Sequence, residues 1–331
     1  MRGYLIRRVL SAVPTLIGIS LVTFCLLELL PGREMALAGA REGTPPSAET
    51  LARLRLIYHL DDPLPQRYLA WLLKFCRWDL GESLLDGRPV ARILGETAAR
   101  TLVLNLLALG LAFAVAIPLG ARWAASPGSL ADRAGSFLLY LLYAFPAFAA
   151  AVLLQQWLAV KLGVFPLQGL GSLPSTSPVA SRMVDYAAHL FLPVICLAYG
   201  SLAYLARFTR ANVLEGLRSE YVTAARARGL PETVLLWRHA FRNSVLPLLT
   251  LIGVLVPALL GGSVLVETVF SWPGMGRLYF EALQNRDYPV VLGLAALTAI
   301  LTLAGSLLAD LLYSVADPRI QVERGIEDRA F

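Results

Sequence analysis

The sequence contains 331 residues, of which 57% are hydrophobic and only 16% are charged. A soluble chain carries about 25% charged residues, so this composition disfavours an ordinary cytosolic enzyme and favours a membrane protein. The net charge of +6 arises from 29 Lys and Arg against 23 Asp and Glu. Because these cations separate long apolar runs instead of forming one basic face, membrane orientation explains them better than nucleic-acid binding does.

Six apolar stretches are long enough to cross a bilayer core, which takes about 20 helical residues. Apart from Glu28 near the end of the first stretch, none of them contains Asp, Glu, Lys or Arg. The stretches are residues 9–30, 101–121, 135–160, 189–206, 245–266 and 288–309. We therefore predict an all-α integral membrane protein with six transmembrane helices.

Prolines lie in or at the ends of these stretches, at Pro14, Pro118, Pro146, Pro193, Pro247 and Pro257. Membrane helices tolerate such prolines because neighbouring helices can bond the backbone groups that proline frees. The first stretch is also longer than the ~7 to 15 apolar residues of a signal-peptide core. We therefore expect all six stretches to be spans, with the first one uncleaved.

The second stretch carries small residues at every fourth position, where they would share one side of a helix. These residues are Ala108, Ala112, Ala116 and Gly120. Such a stripe lets a neighbouring helix approach closely, although ordinary alanine usage in an alanine-rich chain would also produce it. Both interpretations stay open from the sequence.

The distribution of cations between the short loops predicts the orientation. With the N-terminus inside, the cytoplasmic segments hold 15 Lys and Arg, and the two short outside loops hold 4. The positive-inside rule therefore places both termini in the cytoplasm. The first outside loop, residues 31–100, holds ten cations and nine acids, but loops beyond about 60 residues translocate largely regardless of charge.

The loop of residues 31–100 is predicted to contain two short amphipathic helices, at residues 47–58 and 66–78. In the second, the side chains expected to share one face are Tyr68, Leu69, Leu72, Leu73 and Cys76. Such helices would lie on the membrane or on the spans. They would form a docking surface for an outside partner, a structural lid, or both.

The chain lacks the motifs of an enzyme or of a self-powered pump. It has no G-x-x-x-x-G-K-[ST] loop to cradle nucleotide phosphates, and no G-x-S-x-G or H-E-x-x-H motif. The three cysteines and three histidines are dispersed and show no metal-ligand spacing. The spans also lack the mid-membrane ionisable group that ion-coupled carriers usually keep. Energy for transport must therefore come from another chain, or the protein is passive.

The loop between the fourth and fifth predicted spans is rich in arginine and predicts two helices. An apolar face at spacings of three and four indicates one amphipathic helix running to Arg228, through Val213, Leu214, Leu217, Tyr221, Ala224 and Ala225. Gly229 then supplies a left-handed stop, and Pro231 starts a second helix with Glu232 in its first turn.

This shape has two further interpretations besides a docking element. A DNA-binding helix-turn-helix is disfavoured, because both flanking spans tether the loop to the bilayer and three glutamates dilute its charge. A helix pair resting on anionic lipid is the simpler alternative.

The run Thr223-Ala224-Ala225-Arg226-Ala227-Arg228-Gly229, followed by Leu246-Pro247, resembles the EAA loop of ABC importer permeases. In that family the loop carries the coupling helix, which sits in a groove of the partner ATPase. Here Thr223 replaces the Glu of the pattern, and the gap to Leu246-Pro247 is several residues longer. Both departures are typical of the dipeptide, oligopeptide and nickel branch.

Other segments resemble the same branch, so the resemblance covers nearly the whole chain. They are Arg7-Arg8-Val9-Leu10, Leu30-Pro31-Gly32, Leu80-Gly81-Glu82-Ser83, residues 261–276 and Arg286-Asp287-Tyr288-Pro289. Arg33-Glu34 stands where the family usually has Asp-Pro, so the start of the first loop differs. The resemblance is specific for the family and does not select a substrate.

The resemblance implies a type I ABC importer permease fold and a set of partners. Residues 1–331 would form one transmembrane permease domain, with an extracytoplasmic helical insert at 31–100 and a coupling loop at 207–244. The partners implied are a homologous second permease, two cytoplasmic ATPases that bind ATP and Mg, and an extracytoplasmic binding protein that delivers peptide. The complex would lie in a bacterial inner membrane in contact with lipid. No cofactor, metal or nucleic acid is expected on this chain.

The resemblance and the loop pattern together define two sets of candidate residues. The ATPase-coupling set is Thr223, Ala224, Ala225, Arg226, Arg228, Gly229, Leu230 and Pro231. The gate or translocation set is Gly261, Gly262, Glu267, Phe270, Trp272 and Pro273. Paired glycines allow backbone bending, and we expect the Trp272-Pro273-Gly274 turn at the membrane interface, where aromatic side chains favour residence. A purely structural turn is the alternative.

Three other functions stay open. The chain could be a nickel or other small-solute permease of the same family. It could instead be a passive or ion-driven channel or carrier, or a structural scaffold. A co-purifying ATPase would separate the importer from these last two classes.

Overall fold

The computed structural model describes residues 2–29, 62–255, 259 and 263–316. Within these residues the secondary structure is helical, and no β-strand occurs there. The helices are α1 Arg2–Leu29, α2 Leu64–Cys76, α3 Val90–Ala125, α4 Leu130–Ala144, α5 Ala147–Leu154, α6 Val179–Leu217, α7 Glu220–Ala227, α8 Glu232–Val234, α9 Phe241–Leu255, α10 Val264–Val269, α11 Met275–Gln284 and α12 Tyr288–Ala316. Two π-helical segments, Gln155–Lys161 and Leu235–Ala240, extend α5 and join α8 to α9.

The chain divides into two compact units. The first comprises the described residues of Met1–Thr101, Leu260–Val264 and Pro273–Ala304. The second comprises those of Leu102–Leu259, Leu265–Trp272 and Gly305–Phe331. The single permease domain and its predicted internal boundaries at 31–100 and 207–244 stay predictions.

Long apolar helices confirm the prediction of an all-α membrane protein. Within the described residues, three helices are long and apolar enough to cross a bilayer: Val90–Ala125, Val179–Leu217 and Tyr288–Leu308. The bent pair Leu130–Ala144 and Ala147–Lys161 would make a fourth span. The apolar part of α1 is the shorter helix Leu10–Leu26, and the predicted span 245–266 includes residues outside the described part. The described helices therefore do not establish the count of six.

The predicted third span, residues 135–160, is not one straight helix. It bends by 94° between α4 and α5, where Phe145 is extended with φ −84° and ψ 124°. Pro146 causes this break, because a proline disfavours the helical conformation of the residue before it. The hydroxyl of Tyr199 donates a 2.6 Å hydrogen bond to the Phe145 carbonyl. A neighbouring helix thus satisfies the freed group, as membrane helices require.

The small-residue stripe of α3 is a helix interface. Ala108, Ala112 and Ala116 are buried in one cluster with residues of α6, which include Ala198, Ala203, Leu205 and Ala206. At Gly120 the contact is closest: a Cβ there would lie 2.4 Å from the Ala206 carbonyl oxygen. The structure therefore confirms the interface interpretation of the stripe over ordinary alanine usage.

In the first unit, α2 packs against α1. The Tyr68 hydroxyl lies 2.8 Å from Ser20 Oγ, and Arg67 donates to the Glu28 carboxylate at 2.7 Å. The predicted helix at 66–78 is thus confirmed as α2, but its inner face differs from the prediction. The better-covered side chains are Tyr68, Trp71, Leu72 and Phe75, while Leu69, Leu73 and Cys76 are exposed. The helix predicted at 47–58 lies outside the described residues.

The covered face of α2 differs from the predicted face because aromatic side chains make most of its contacts. Trp71 stacks on Phe75 at 5.4 Å between ring centroids, and Phe24 of α1 meets Tyr68 edge-to-face at 5.5 Å. Large rings bury more area than leucines do and prefer such offset or edge contacts. The face of α2 that carries Tyr68, Trp71 and Phe75 is therefore the covered one.

Candidate functional site

The arginine-rich loop forms a corner of short helices, which we call the coupling corner (residues 218–240). The one helix predicted from Val213 to Arg228 is wrong: α6 continues to Leu217, and the separate helix α7 begins at Glu220. Ser219 separates them because it is extended, with φ −68° and ψ 154°. Its hydroxyl donates a 2.6 Å bond to the Gly216 carbonyl, one of the carbonyls that the end of α6 leaves free.

The turn after α7 agrees with the prediction. Gly229 has φ +80°, a left-handed conformation that glycine adopts without strain. A Cβ at this position would meet no atom within 4 Å, so only the backbone demands glycine here. Pro231 is extended, with ψ 148°, and directly precedes α8.

An ion pair, which sequence analysis missed, spans this turn. Arg226 Nε and Nη2 donate to the two Glu232 carboxylate oxygens at 2.7 and 3.2 Å. The hydrogen bond from Arg226 holds the pKa of the Glu232 carboxyl below its ordinary value, and the same bond raises the pKa of Arg226. Both side chains are exposed, so the pair orients the turn more than it stabilises the chain.

The inner face of the coupling corner is packed into the helices that carry it. Val222 and Ala225 of α7 lie in one buried cluster whose other members are Ala121, Ala124, Val213, Leu235, Leu236 and Ala240. These residues belong to α3, α6 and the π-helical segment before α9. Gly216 lies so close to Ala240 that an added Cβ would be 3.2 Å from its carbonyl oxygen. A force on α7 would therefore reach all of these helices, because packed interiors transmit displacement.

The outer face of the coupling corner is exposed. It presents small, cationic and apolar side chains together, namely Tyr221, Thr223, Ala224, Arg228, Leu230 and Trp237. The alanine pair is split: Ala224 is exposed, whereas Ala225 is 8% exposed and packs inward. Of the two alanines in the predicted coupling set, only Ala224 therefore lies on the outer face, and the coupling role of both stays a prediction.

Sequence reasoning assigned Tyr221 to the buried face and gave Trp237 no role, yet each is 42% exposed. The spacing rule failed for Tyr221 because the break at Ser219 resets the helical register. Trp237 carried no sequence signal beyond being an aromatic residue in a basic loop.

The candidate gate residues lie only partly within the described chain. Gly261 and Gly262 are outside the described residues. Glu267, Phe270 and Trp272 are buried at 1%, 3% and 0% exposure, and Pro273 is partly buried. Phe270 packs in a cluster with Ala151, Leu192, Cys196 and Val266.

Trp272 is fully buried within the protein, and its predicted position at the membrane interface stays a prediction. Its ring packs among this chain's own side chains, with Leu104 and Leu190, and lies 5.7 Å from the Tyr186 ring. Its indole Nε1 has no hydrogen-bond partner among the residues that the structure describes.

Hydrogen bonds attach the 264–272 segment to the π-helical extension of α5 and to the loop that follows this extension. Gly169 N–H donates to the Phe270 carbonyl at 2.9 Å, and Gln155 Nε2 donates to the Val269 carbonyl at 3.1 Å. Ser271, with φ +49°, donates from Oγ to Gln168 Oε1 at 3.1 Å. Any outward movement of this segment must break these bonds.

Among the described residues, no group of three or more His, Cys, Asp or Glu side chains is placed to hold a metal ion.

Comparison with protein families gives two adjoining matches. Residues 116–322 match the family described as "binding-protein-dependent transport system inner membrane component". Residues 1–102 match the N-terminal model of the same kind of membrane component. Together the two matches cover most of the sequence and include the coupling corner.

Named relatives match along almost their whole length. The oligopeptide transport system permease protein AppB of Bacillus subtilis (strain 168) is 36% identical over 97% of this chain and 100% of its own. The dipeptide transport system permease protein DppB of Escherichia coli (strain K12) is 36% identical over 97% of this chain and 99% of its own. A putative peptide transport system permease protein of Brucella abortus (strain 2308) is 35% identical over 98% of this chain and 100% of its own.

Among solved structures, an inward-facing form of the MetNI methionine ABC transporter resembles the chain with a TM-score of 0.48 and 17% identity. The match covers 66% of this chain and 96% of that one. This likeness is too distant to bear on the substrate or on the conformational state.

Proposed function

The chain belongs to the family of binding-protein-dependent transport system inner membrane components, and from this premise we propose that it is the permease subunit of an ATP-driven peptide importer. Relatives named for oligopeptide and dipeptide transport match over nearly their full length. Peptide is therefore preferred over nickel or another small solute. The chain is a multi-pass membrane protein, and a bacterial inner membrane is the location that the family description supports.

The work would be done by other subunits, because the sequence has no phosphate-binding loop of its own. We infer a complex with a homologous permease, two ATPases that bind ATP and Mg, and an extracytoplasmic binding protein. The arginine-rich loops would then face the ATPases, with both termini on that side of the membrane.

The single observation that carries the coupling role is the two-sided packing of α7. Its inner side chains, Val222 and Ala225, are buried with residues of α3 and α6, while Ala224, Arg228 and Leu230 are exposed. A partner seated on the outer face would move these helices together, since a close-packed cluster has no room to absorb the displacement. Lipid alone would not need so rigid a support.

The 264–272 segment would form part of the gate of the translocation path. Phe270 and Trp272 are buried, and the hydrogen bond of Gly169 to Phe270 holds the segment closed. Alternating access would exchange these contacts as the two permeases move relative to each other. Glu267, Pro273 and the paired glycines Gly261 and Gly262 remain part of this proposed gate.

The coupling role is tested by a matched pair of variants, Gly229→Glu and Gly163→Glu. Both glycines have positive φ, +80° and +62°, and at neither would a Cβ meet another atom within 4 Å. Each substitution therefore carries the same backbone cost, about 1–2 kcal/mol, and only the location differs. Gly163 lies on the loop after α5, away from the proposed ATPase contact.

Both variants are purified with all transporter subunits, and ATPase retention, binding-protein-stimulated ATP hydrolysis and peptide uptake are measured. Gly229→Glu places an unpaired charge in the contact, which costs about 3–5 kcal/mol when buried, so ATPase retention should fall at least about 100-fold. Gly163→Glu should keep all three activities. If Gly229→Glu keeps wild-type ATPase retention, ATP hydrolysis and peptide uptake, the coupling corner is only a helix pair that rests on lipid. Peptide uptake without ATP would instead support a passive channel.

A further inference from the structure

A groove of about 800 Å³ opens between α4 and α6, outside both candidate sites. It lies within the second unit and runs along α4 from Gly128, in the α3–α4 turn, to Tyr143. Arginine and tyrosine side chains dominate its lining: Arg133, Arg207, Arg210, Tyr140, Tyr143 and Tyr204. This volume is within the range of small-molecule sites, about 300–1,000 Å³.

Only one of the three arginines has its charge matched by an acid. Arg210 donates from Nε and Nη2 to the two carboxylate oxygens of Asp132 at 2.5 and 2.7 Å. Asp132 is 3% exposed and also accepts the Gly128 N–H at 2.8 Å, so its charge is fully engaged. Arg133 and Arg207 form no ion pair with a described residue, and both are exposed. The groove therefore carries two arginines that form no ion pair of their own within the described part of the chain, beside one Asp132 carboxylate that Arg210 already engages.

Arg207 is held over the groove by an aromatic ring. Its guanidinium carbon lies 4.0 Å from the centroid of the Tyr140 ring, a cation–π contact that leaves the N–H donors at its edge free. A planar guanidinium presents those donors in the geometry that phosphate oxygens accept. The contact thus fixes the position of the charge without neutralising it.

The tyrosines add hydroxyl donors on the same wall. Tyr140, Tyr143 and Tyr204 are exposed at 53%, 61% and 47%. None of their hydroxyls bonds to another residue in the part of the chain that the structure describes. Along α4, Arg133, Tyr140 and Tyr143 recur at spacings of seven and three, so they line one side of the helix.

Beside this polar stripe, α4 presents a strongly apolar surface. Phe137, Leu138 and Leu141 are exposed at 71%, 54% and 59%. A cationic, hydroxyl-rich groove that passes directly into an apolar helix face complements a molecule with an anionic head and hydrocarbon chains. A free phosphate ion would use the first feature and leave the second uncovered.

We propose that this groove binds the headgroup of an anionic phospholipid. Arg133 and Arg207 contact the phosphate, the tyrosine hydroxyls donate to headgroup oxygens, and the acyl chains lie along Phe137 and Leu141. Basic pockets between membrane helices bind anionic headgroups in this manner. The site goes beyond peptide import, and it would exist whether or not the coupling corner meets an ATPase.

The test uses the full chain purified with its co-expressed transporter subunits, exchanged into a delipidating detergent. Native mass spectrometry then measures binding of added phosphatidylglycerol and of phosphatidylcholine. Wild type should retain phosphatidylglycerol selectively. The double variant Arg133→Gln with Arg207→Gln should bind it at least about tenfold more weakly. The control Arg122→Gln removes an exposed cation near the same turn and should bind as wild type does.

Four results would overturn the proposal, and the first two need only wild-type protein. Equal retention of phosphatidylcholine by wild type would show no anionic selectivity. Displacement of the lipid by millimolar inorganic phosphate alone would assign the groove to a free anion. Unchanged phosphatidylglycerol binding in the correctly folded double variant would show that Arg133 and Arg207 do not hold the lipid. Oxidative cross-linking of Tyr143→Cys to a cysteine introduced into a partner subunit would show that protein, not lipid, covers the groove.

Discussion

Ser83 Oγ donates a 2.5 Å hydrogen bond to Asp287 Oδ2, across a separation of 204 residues in the chain. The Leu84 N–H donates to the other carboxylate oxygen at 3.2 Å. Asp287 follows Arg286, whose φ of +57° ends the turn after α11. The segments Leu80-Gly81-Glu82-Ser83 and Arg286-Asp287-Tyr288-Pro289, which each resemble the peptide-permease branch, therefore meet in one unit. Asp287 is 2% exposed there.

Removing the Ser83 hydroxyl should destabilise this unit measurably. Ser83→Ala deletes a donor to a buried carboxylate, and bonds to charged groups contribute about 1.5–3 kcal/mol. The apparent melting temperature in detergent should fall accordingly. Asp79→Asn is the control, because exposed Asp79 accepts only the Gly81 N–H in the described region, at 3.1 Å, and its substitution should change stability by less than about 0.5 kcal/mol. Equal melting temperatures for wild type and Ser83→Ala would contradict the buried-bond account.

The α3–α6 interface predicts opposite effects for two glycines on one helix. In Gly120→Ala the new Cβ would lie 2.4 Å from the Ala206 carbonyl oxygen, whereas at Gly110 no atom lies within 4 Å. Overpacking should cost Gly120→Ala about 1–3 kcal/mol, and Gly110→Ala should be neutral or gain up to about 1 kcal/mol from helix propensity. Thermal unfolding of both variants checks this, and a stable Gly120→Ala would mean that the helices separate freely.

The bend between α4 and α5 should depend on Tyr199. Tyr199→Phe leaves the Phe145 carbonyl without its 2.6 Å donor. We expect a loss of about 0.5–1.5 kcal/mol in unfolding free energy. Tyr279→Phe, which removes the hydroxyl of a 40% exposed tyrosine, is the control. If the two variants unfold alike, the hydroxyl bond does not hold the bend.

The Arg226–Glu232 pair predicts a pH dependence of the coupling corner. Because hydrogen bonding to Arg226 lowers the Glu232 pKa below its ordinary value of 4.5, the carboxylate form is favoured in the folded corner. Its contribution is therefore present above that ordinary value and is lost as the pH falls through the lower folded pKa. In Arg226→Gln the midpoint should move up toward the ordinary value. Selective ¹³C labelling of the Glu232 carboxyl measures both midpoints, and coincident curves would refute the pairing.

Features that depend on nearby residues were predictable from the sequence. The apolar runs predicted the long helices, and Gly229 and Pro231 predicted the turn with its φ of +80°. The four-residue spacing from Ala108 to Gly120 placed these small residues on one side of a helix, where an interface was one of two interpretations left open. Each of these follows from helix periodicity or from the φ restriction of a single residue. The family resemblance rested on such local patterns and is confirmed by the family match.

Only the tertiary structure decided which distant groups meet and which face of each helix is covered. The Ser83–Asp287 bond, the Arg210–Asp132 pair and the burial of Trp272 leave no trace in spacing. Ser219 resets the helical register, which exposes Tyr221 and divides Ala224 from Ala225. The physical reason is that side-chain burial and pairing depend on three-dimensional packing between helices, whereas periodicity specifies only which residues share a side of one helix.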